Sequence, residues 1–400
     1  LRFPADEVIF APETAMQKHI KRSELKPGMF VVSYGLGTFS NPLVRVNTHV
    51  SSQAEIDALM VDEAEAILID TGNTLFLRGE QEQAPPQCSL HEELPAARRL
   101  HADALEYVKG FFESMRLGTN LSCQGAVPLV ERFVQSVMRN STAAATLFKL
   151  RNHDEYTFCH SINVSVLSVV LGKQLGLGKA SLVNLGLAGL LHDAGKERVP
   201  ASLLTKPGSL TESERRVLKT HPLEGYKALS GQEDIPLEVL RAVLEHHERH
   251  DGSGYPRGLK GDDIAAFSRV IVVVDVYDAL TSERAYKRAL PPAKALSQMF
   301  QMRGKQFSED DIDHFIRCIG VFPVGSFVRL TGGEHGIVIS TNPGRPTKPQ
   351  VKVVLNSRMR PVLPRVLDLE AMEGTPQAQD IAEVLNPADY RLDMERFLSA

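Results

Sequence analysis

The 400-residue sequence has four scattered cysteines (Cys88, Cys123, Cys159, Cys318) and no CxxC pair. That leaves no plausible disulfide framework and fits a reducing cytoplasm. No uninterrupted apolar run approaches the roughly 18 residues of a membrane span, and no signal-peptide pattern opens the chain. It begins on leucine, so a trimmed N-terminal segment stays open. A basic surplus is missing as well. The formal net charge of −4 and a pI near 6.4 argue against a general DNA or RNA binder, whereas a small anionic nucleotide held by local positive charge remains compatible. There is no internal repeat and no low-complexity block. With 43% hydrophobic residues, a soluble chain of this length can bury more than one core and is expected to hold two to three domains.

What the sequence does have is ionisable residues, several as adjacent pairs, set into apolar segments. They are GLLHDAGK (His192, Asp193, Lys196), THP (His221), LEHHERHDGSGYP (His246, His247) and VVVDVYDAL (Asp275, Asp278), with His160 earlier in FCHSINVSVL. Imidazole nitrogens and carboxylate oxygens suit first-row divalent metals without any thiolate. Leu185, Ala188, Gly189 and His192 fall at i, i+3, i+4 and i+7, so His192 faces inward with an apolar helix stripe. Asp193 follows at once. Neighbours on a helix point roughly 100° apart, so the pair cannot pinch a single ion, but a carboxylate can bridge two. His247 shares a face with Leu240 and Leu244, and His246 with Val239 and Val243. Ile271, Val274, Asp275 and Asp278 repeat the helical spacing. Two carboxylates on an apolar face cost several kcal/mol or more when unpaired, so something cationic should compensate them.

Each piece alone has a plainer reading. A lone histidine such as His160, beside Val164 and Leu167, is more often a hydrogen-bonded core residue. Asp275 and Asp278 could form a buried ion pair with Arg284 or Lys287, and His221 before Pro222 could sit in a surface turn. Their coincidence with a glycine-rich loop favours a dinuclear metal site.

The order and context of these motifs, HDAGK, then HP, then HHERHDGSGYPRGLKGDDI, then DVYDALTSERAYK, resemble the HD-GYP family, a bacterial branch of the HD phosphohydrolases, over about residues 100 to 320. The resemblance implies an all-helical, metal-dependent phosphodiesterase acting on cyclic di-GMP with two divalent ions, iron or manganese. It assigns the ligands to His160, His192, Asp193, His221, His246, His247 and Asp275, with Asp193 bridging and Lys196 close to the ions. Arg284 and Lys287 would grip the substrate phosphates, Tyr255 would sit at the pocket mouth, and Asp278 is grouped with them on the substrate side. Members with a third metal carry a glutamate four residues before the first histidine. This chain has Tyr156 there, with Glu155 facing about 100° away on a helix, so two ions are expected.

Two such ions can activate a bridging hydroxide and clamp both oxygens of an in-line displacement. Lys196 would balance developing phosphoryl charge. Arg284 offers a planar fork to two oxygens and Lys287 a point charge. The expected product is linear pGpG, and then GMP. The same chemistry on another nucleotide, or a non-catalytic role in which the GYP loop binds a GGDEF-domain protein, are the other readings. A homodimer is neither required nor excluded.

Elsewhere the chain divides into an N-terminal α/β domain (1–80), a linker (81–94), the helical domain (95–321), a small β subdomain (322–370) and a tail with one short helix (371–400). In the first, KHIKRSELKPGMFVVSYG and AEAILIDTGN read as strands, and SSQAEIDALM reads as a helix opened by a Ser52/Glu55 capping box. This domain resembles the uncharacterised module often joined to HD-GYP domains. Asp70 and Thr71 look like a strand end. EQEQAPPQCSLH is polar and proline-containing, as linkers are. Helices are expected near 95–116 and 126–149, the first with a core stripe of Leu105, Val108, Phe112 and Met115. After residue 320, alternating apolar stretches between glycine turns predict a small sheet.

Overall fold

The computed structural model describes residues 17–20, 25, 29–36, 44–49, 64–70, 88–118, 123–142, 144, 156–206, 208–232, 234–282, 289–342, 345–385 and 387–390. The helix expected at 51–60, Thr71, Glu155, Arg284, Lys287 and the tail beyond residue 390 lie outside them, as does the side chain of Tyr156.

The N-terminal strands are β1 (Gln17–Ile20), β2 (Phe30–Leu36), β3 (Val44–His49) and β4 (Ala64–Asp70). They form an antiparallel sheet in the order β1-β4-β2-β3. Side chains alternate across a strand, so Ile67 and Ile69 share one face of β4. Both are buried, and Ile69 lies opposite the buried Val31. β3 was not anticipated, because a six-residue strand with Arg45, Asn47 and Thr48 carries little apolar signal.

The helical part opens with α1 (Leu90–Leu117), five residues into the segment read as linker. A capping box sets that start. Ser89 Oγ accepts the Glu92 N–H at 3.3 Å, and the Glu92 carboxylate accepts the Ser89 N–H at 2.7 Å. Two otherwise orphaned donors are satisfied upstream of Pro95, so the proline falls inside the helix and does not begin it. Val108, Phe112 and Met115 are buried and Leu105 packs against them. α2 (Ala126–Arg139) ends where Asn140 turns extended at φ −156°, ψ 97°; residues 141, 142 and 144 are helical again, and the rest of the expected helix to 149 lies outside the described residues.

The centre of the domain is α3 (Tyr156–Gln174) and α4 (Lys179–Leu191), both apolar on nearly every face and almost wholly buried. Helices of that composition are stable only when surrounded. After them come α5 (Ala201–Leu204), α6 (Glu212–Leu218), α7 (His221–Leu229), α8 (Leu237–Glu245), α9 (Ala266–Thr281), α10 (Pro292–Phe300) and α11 (Glu309–Ile319), of which α8, α9 and α11 pack directly on the central pair, as α1 and α2 do. One continuous core runs from Leu94 to Ile319. No helix among the described residues is long and apolar enough to cross a membrane.

Beyond it stands a five-stranded antiparallel sheet in the order β8-β7-β6-β5-β9, from β5 (Phe327–Leu330), β6 (His335–Ser340), β7 (Gln350–Leu355), β8 (Pro361–Asp368) and β9 (Ile381–Leu385). Both faces are covered: Val328, Val338 and Val351 belong to one cluster, Phe327, Ile337 and Val354 to another. The β unit therefore extends past the expected residue 370, since β9 pairs with β5 from within the supposed tail. Pro387–Tyr390 form a 3₁₀ turn. The expected mainly helical core and small C-terminal sheet are both present, and the described part of the N-terminal unit, expected to be α/β, is its sheet.

α1 is tied to α2 by Glu93, 3% exposed, which accepts from Arg139 Nε at 2.8 Å and Nη2 at 2.7 Å, and from Ser136 Oγ at 2.8 Å. Burial pushes its carboxyl pKa up, and these donors outweigh that and hold it below the usual value. Glu93→Ala strands buried donors and should cost about 2–4 kcal/mol, read by denaturant unfolding of the full chain; a loss under about 0.5 kcal/mol would remove the assigned role. Because the folded pKa is depressed, this contribution is present above the unfolded value, near 4.5. It is lost as pH falls through the folded one.

Candidate metal centre

The candidate ligands come from five separate elements, and the fold brings all seven together. His160 lies on α3, His192 and Asp193 at the end of α4, His221 at the start of α7, His246 and His247 at the end of α8, and Asp275 on α9. Their donor atoms form two sets, each within 4.8 Å: Asp193 with His221, His246 and His247, and His160 with His192 and Asp275. The five imidazoles make a continuous run, with ring centroids 4.2–5.2 Å apart from His160 through His192, His246, His221 and His247.

Asp193 stands between the two sets with one oxygen turned to each. Oδ2 is 3.3 Å from His192 Nε2 and 3.6 Å from His160 Nε2, while Oδ1 is 3.3 Å from His221 Nε2 and 3.6 Å from His246 Nε2. Its position follows from where the helix ends. α4 stops at Leu191, and Asp193 leaves helical geometry at φ −96°, ψ 3° before a 3₁₀ turn over Ala194–Arg198. Gly195 lets that turn press against α7: a Cβ there would fall 2.0 Å from the His221 carbonyl oxygen and 2.4 Å from Gly225 N. Any side chain would push His221 away.

The imidazoles are aimed by their far nitrogens. Nδ1 of His192, His221 and His246 donates to the carbonyl oxygens of Gly189, Leu218 and Val243 at 2.7, 2.8 and 2.7 Å. A carbonyl can only accept, so each Nδ1 carries the proton and each Nε2 presents a lone pair to the centre. His221 Nε2 and His246 Nε2 converge to 3.1 Å. His192 Nε2 and Asp193 Oδ1 are fully buried yet make no hydrogen bond, a cost that a cation would remove.

Charge in the pocket is arranged in the same sense. Burial pushes the His246 pKa down to about 4, and drives His247 well below its usual value with help from His246 and His221. Both rings are neutral donors at neutral pH. Burial alone would raise the pKa of Asp193, but Lys196 and His192 hold it well below the usual carboxylate range. Asp275 is also held low, burial being outweighed by His160. His160, despite burial, is pushed up to about 9 by Asp275 and Asp278. Five imidazoles and two carboxylates, with a cation taking the place of the proton on His160 Nε2, fit a pair of divalent ions.

Lys196 lies beside the centre as expected, its Nζ 2.5 Å from Asp193 Oδ2 and its side chain 28% exposed. Tyr255 is at the rim: its ring centroid is 4.9 Å from that of His247 and 5.1 Å from Lys219 Nζ. Asp278 is not at the substrate side. It is 2% exposed and lies behind His160, accepting from Nδ1 at 2.7 Å, from Asn163 Nδ2 at 2.9 Å and from Ser282 Oγ at 2.9 Å. Three donors within the core leave it no path to a phosphate. Asn163 and Ser282 were missed, although Asn163 one helical turn after His160 and Ser282 one turn after Asp278 were readable signals.

Two further buried carboxylates escaped notice. Glu248 accepts the N–H groups of Arg257 and Leu259 at 2.7 and 3.0 Å. Glu245 accepts from Arg241 Nε, Ala265 N and Ser268 Oγ at 3.0, 3.0 and 2.9 Å. Together they pin the loop that carries Gly254, Tyr255 and Pro256. A Cβ on Gly254 would lie 2.4 Å from Arg249 N, so the loop crosses the end of α8 where only glycine fits.

A family described as HD domain matches residues 135–310, and a domain of unknown function, DUF3391, matches residues 17–126. A cyclic di-GMP phosphodiesterase of Pseudomonas aeruginosa is 34% identical over 370 residues, covering 88% of this chain and 89% of that protein. A 3′3′-cGAMP-specific phosphodiesterase of Vibrio cholerae is 36% identical over 177 residues, 44% of this chain and 37% of that one. Among solved structures, an HDG"Y"P protein from Bdellovibrio bacteriovorus aligns with a TM-score of 0.48 at 18% identity, covering 75% of this chain and 98% of that chain. The P. aeruginosa relative is matched along most of its length as well as most of this chain, and the first naming motif, His192-Asp193, lies in the buried centre while Tyr255 of the second, Gly254-Tyr255-Pro256, stands beside His247 at its rim. The chain belongs to the HD-GYP family of HD-domain phosphodiesterases.

Proposed function

We propose that this chain hydrolyses the phosphodiester bonds of cyclic di-GMP, giving linear pGpG and then GMP, at a centre of two divalent ions, iron or manganese. The observation that carries the reading is the two-faced carboxylate of Asp193, with Oδ1 toward His221 and His246 and Oδ2 toward His160 and His192. A carboxylate so placed suits two ions better than one. His160, His192 and Asp275 would hold one ion and His221, His246 and His247 the other, with Asp193 shared. Bound there, the ions would supply Lewis acidity toward a phosphoryl oxygen and a water made nucleophilic at neutral pH.

The chain's own groups have separate tasks. Lys196, ion-paired to Asp193 and partly open to solvent, is placed to turn toward charge building on the phosphoryl oxygens. Tyr255 walls the rim beside His247 and presents a ring face to a nucleobase. Arg284 and Lys287 are assigned to the substrate phosphates on the strength of the family motif alone. A second reading has a specific ground: a relative is named 3′3′-cGAMP-specific, so the base facing the pocket can differ while the reaction does not.

Purified protein incubated with Mn²⁺ or Fe²⁺ under anaerobic conditions should convert cyclic di-GMP to pGpG and stop when a chelator is added. Turnover of 3′3′-cGAMP alone would transfer the reading to that substrate. Binding without turnover of either would favour a signalling partner of GGDEF-domain proteins. Asp193→Ala should lower bound metal from about two ions per chain to a trace and abolish hydrolysis together with it. Hydrolysis that survives this change would end the metal assignment. For Lys287→Ala the expected change is a roughly ten- to hundredfold rise in KM, as a charged hydrogen bond is worth about 1.5–3 kcal/mol, with metal content unaltered. Loss of metal would instead move Lys287 into the centre.

A further inference from the structure

The two halves of the centre are not built alike. Among the described residues, the only carboxylate oxygen within 3.6 Å of His221 or His246 is Oδ1 of Asp193, and His221 and His246 lean on neutral backbone carbonyls. On the other side His160 Nε2 lies 3.1 Å from Asp275 and 3.6 Å from Asp193 Oδ2. Behind the same ring, 2.7 Å from Nδ1, is the carboxylate of Asp278.

Asp278 is also held firmly. Asn163 Nδ2 fixes Oδ1 from α3, and Ser282 Oγ fixes Oδ2 from the end of α9, all with exposures of 1–2%. Its alignment with His160 therefore costs little when an ion binds. A carboxylate accepting the Nδ1 proton raises the donor strength of Nε2 more than a carbonyl does, and it adds a second negative charge in a poorly screened interior. We infer that Asp278 is a positioning residue that makes the ion held by His160, His192 and Asp275 the tighter of the two. The inference rests on the dinuclear reading of the centre but not on the choice of nucleotide.

The test is a titration of chelator-stripped full-length protein with Mn²⁺, followed by calorimetry and by electron paramagnetic resonance. The wild type should show two steps of different affinity. Asp278→Asn should weaken the tighter step by about 10- to 100-fold and leave the other unchanged, and Ser282→Ala should weaken the same step by a smaller factor. In a His247→Ala background, the surviving step should be the one sensitive to Asp278→Asn. Equal weakening of both steps, no change in either, or sensitivity confined to the step that survives His160→Ala would each overturn the inference. Thermal unfolding of the metal-free variants checks the fold, and Ser282→Ala, which keeps the carboxylate, carries the test should Asp278→Asn not fold. A wild type that binds both ions as inferred yet hydrolyses no cyclic di-GMP would refute the substrate alone.

Discussion

One carboxylate, that of Asp193, carries negative charge into the part of the helical core where four imidazole nitrogens converge on it from two sides. An ionised group so buried costs far more than any single contact returns, unless cations or several donors meet it. Everything nearby answers that cost. Lys196 reaches in from the rim, His160 is charged between Asp275 and Asp278, and three histidines are locked by backbone carbonyls with Nε2 forward. The helices supply the geometry. α3 and α4 are so apolar that they can only be central, and they carry His160 and the His192-Asp193 pair to the middle of the molecule.

The loop after α8 solves a second problem, how irregular backbone can stand beside such a site without drifting. Backbone N–H groups in a loop need partners when buried. Glu248 gives both carboxylate oxygens to the loop backbone at Arg257 and Leu259, and Glu245 does the same for Ala265 while bonding Ser268 and Arg241. Tyr255 is thereby held against His247 at 4.9 Å. Glycine at 254 is a consequence of this packing, since the chain there runs over the backbone of Glu248 and Arg249. The shape of the rim is thus built from two carboxylates on the same helix end as the candidate ligands His246 and His247.

How much of this was legible depended on whether periodicity or pairing carried the information. The spacing that put His192 with Leu185, Ala188 and Gly189, and His246 with Val239 and Val243, placed those rings in the interior, because helical faces are set by sequence alone. Asp278 shared its face with Asp275 and still went astray. Periodicity gives a face but not which of two neighbours turns to the cavity, and that choice was made by Asn163 and Ser282, more than a hundred and four positions away along the chain, respectively. Glu248 was invisible for a related reason: it bonds the backbone amides of Arg257 and Leu259, which no side-chain pattern announces, whereas Glu245 had a readable partner in Arg241 four positions earlier. β9 escaped because its pairing with β5 joins segments some fifty residues apart. The start of α1 was expected near residue 95, whereas the Ser89–Glu92 capping box opens the helix at Leu90.

The candidate ligand set draws on α3, α4, α7, α8 and α9, so any cation held there adds a link between elements already joined by apolar packing and by polar bonds such as Asn163–Asp278 and Asn184–Glu238. An ion that binds the folded chain and not the unfolded one stabilises it by an amount that grows with the logarithm of its concentration over Kd. The same residues, left without a cation, burden the core with desolvated carboxylates whose charge His160 and Lys196 offset in part. Metal binding and the integrity of the core are therefore one equilibrium here. The unequal halves of the centre divide it further: α3, α4 and α9 are joined through His160, His192 and Asp275, and α7 and α8 through His221, His246 and His247. Asp193 turns Oδ2 toward the first group and Oδ1 toward the second, so the change from α4 to the turn that follows it sets one carboxylate against both.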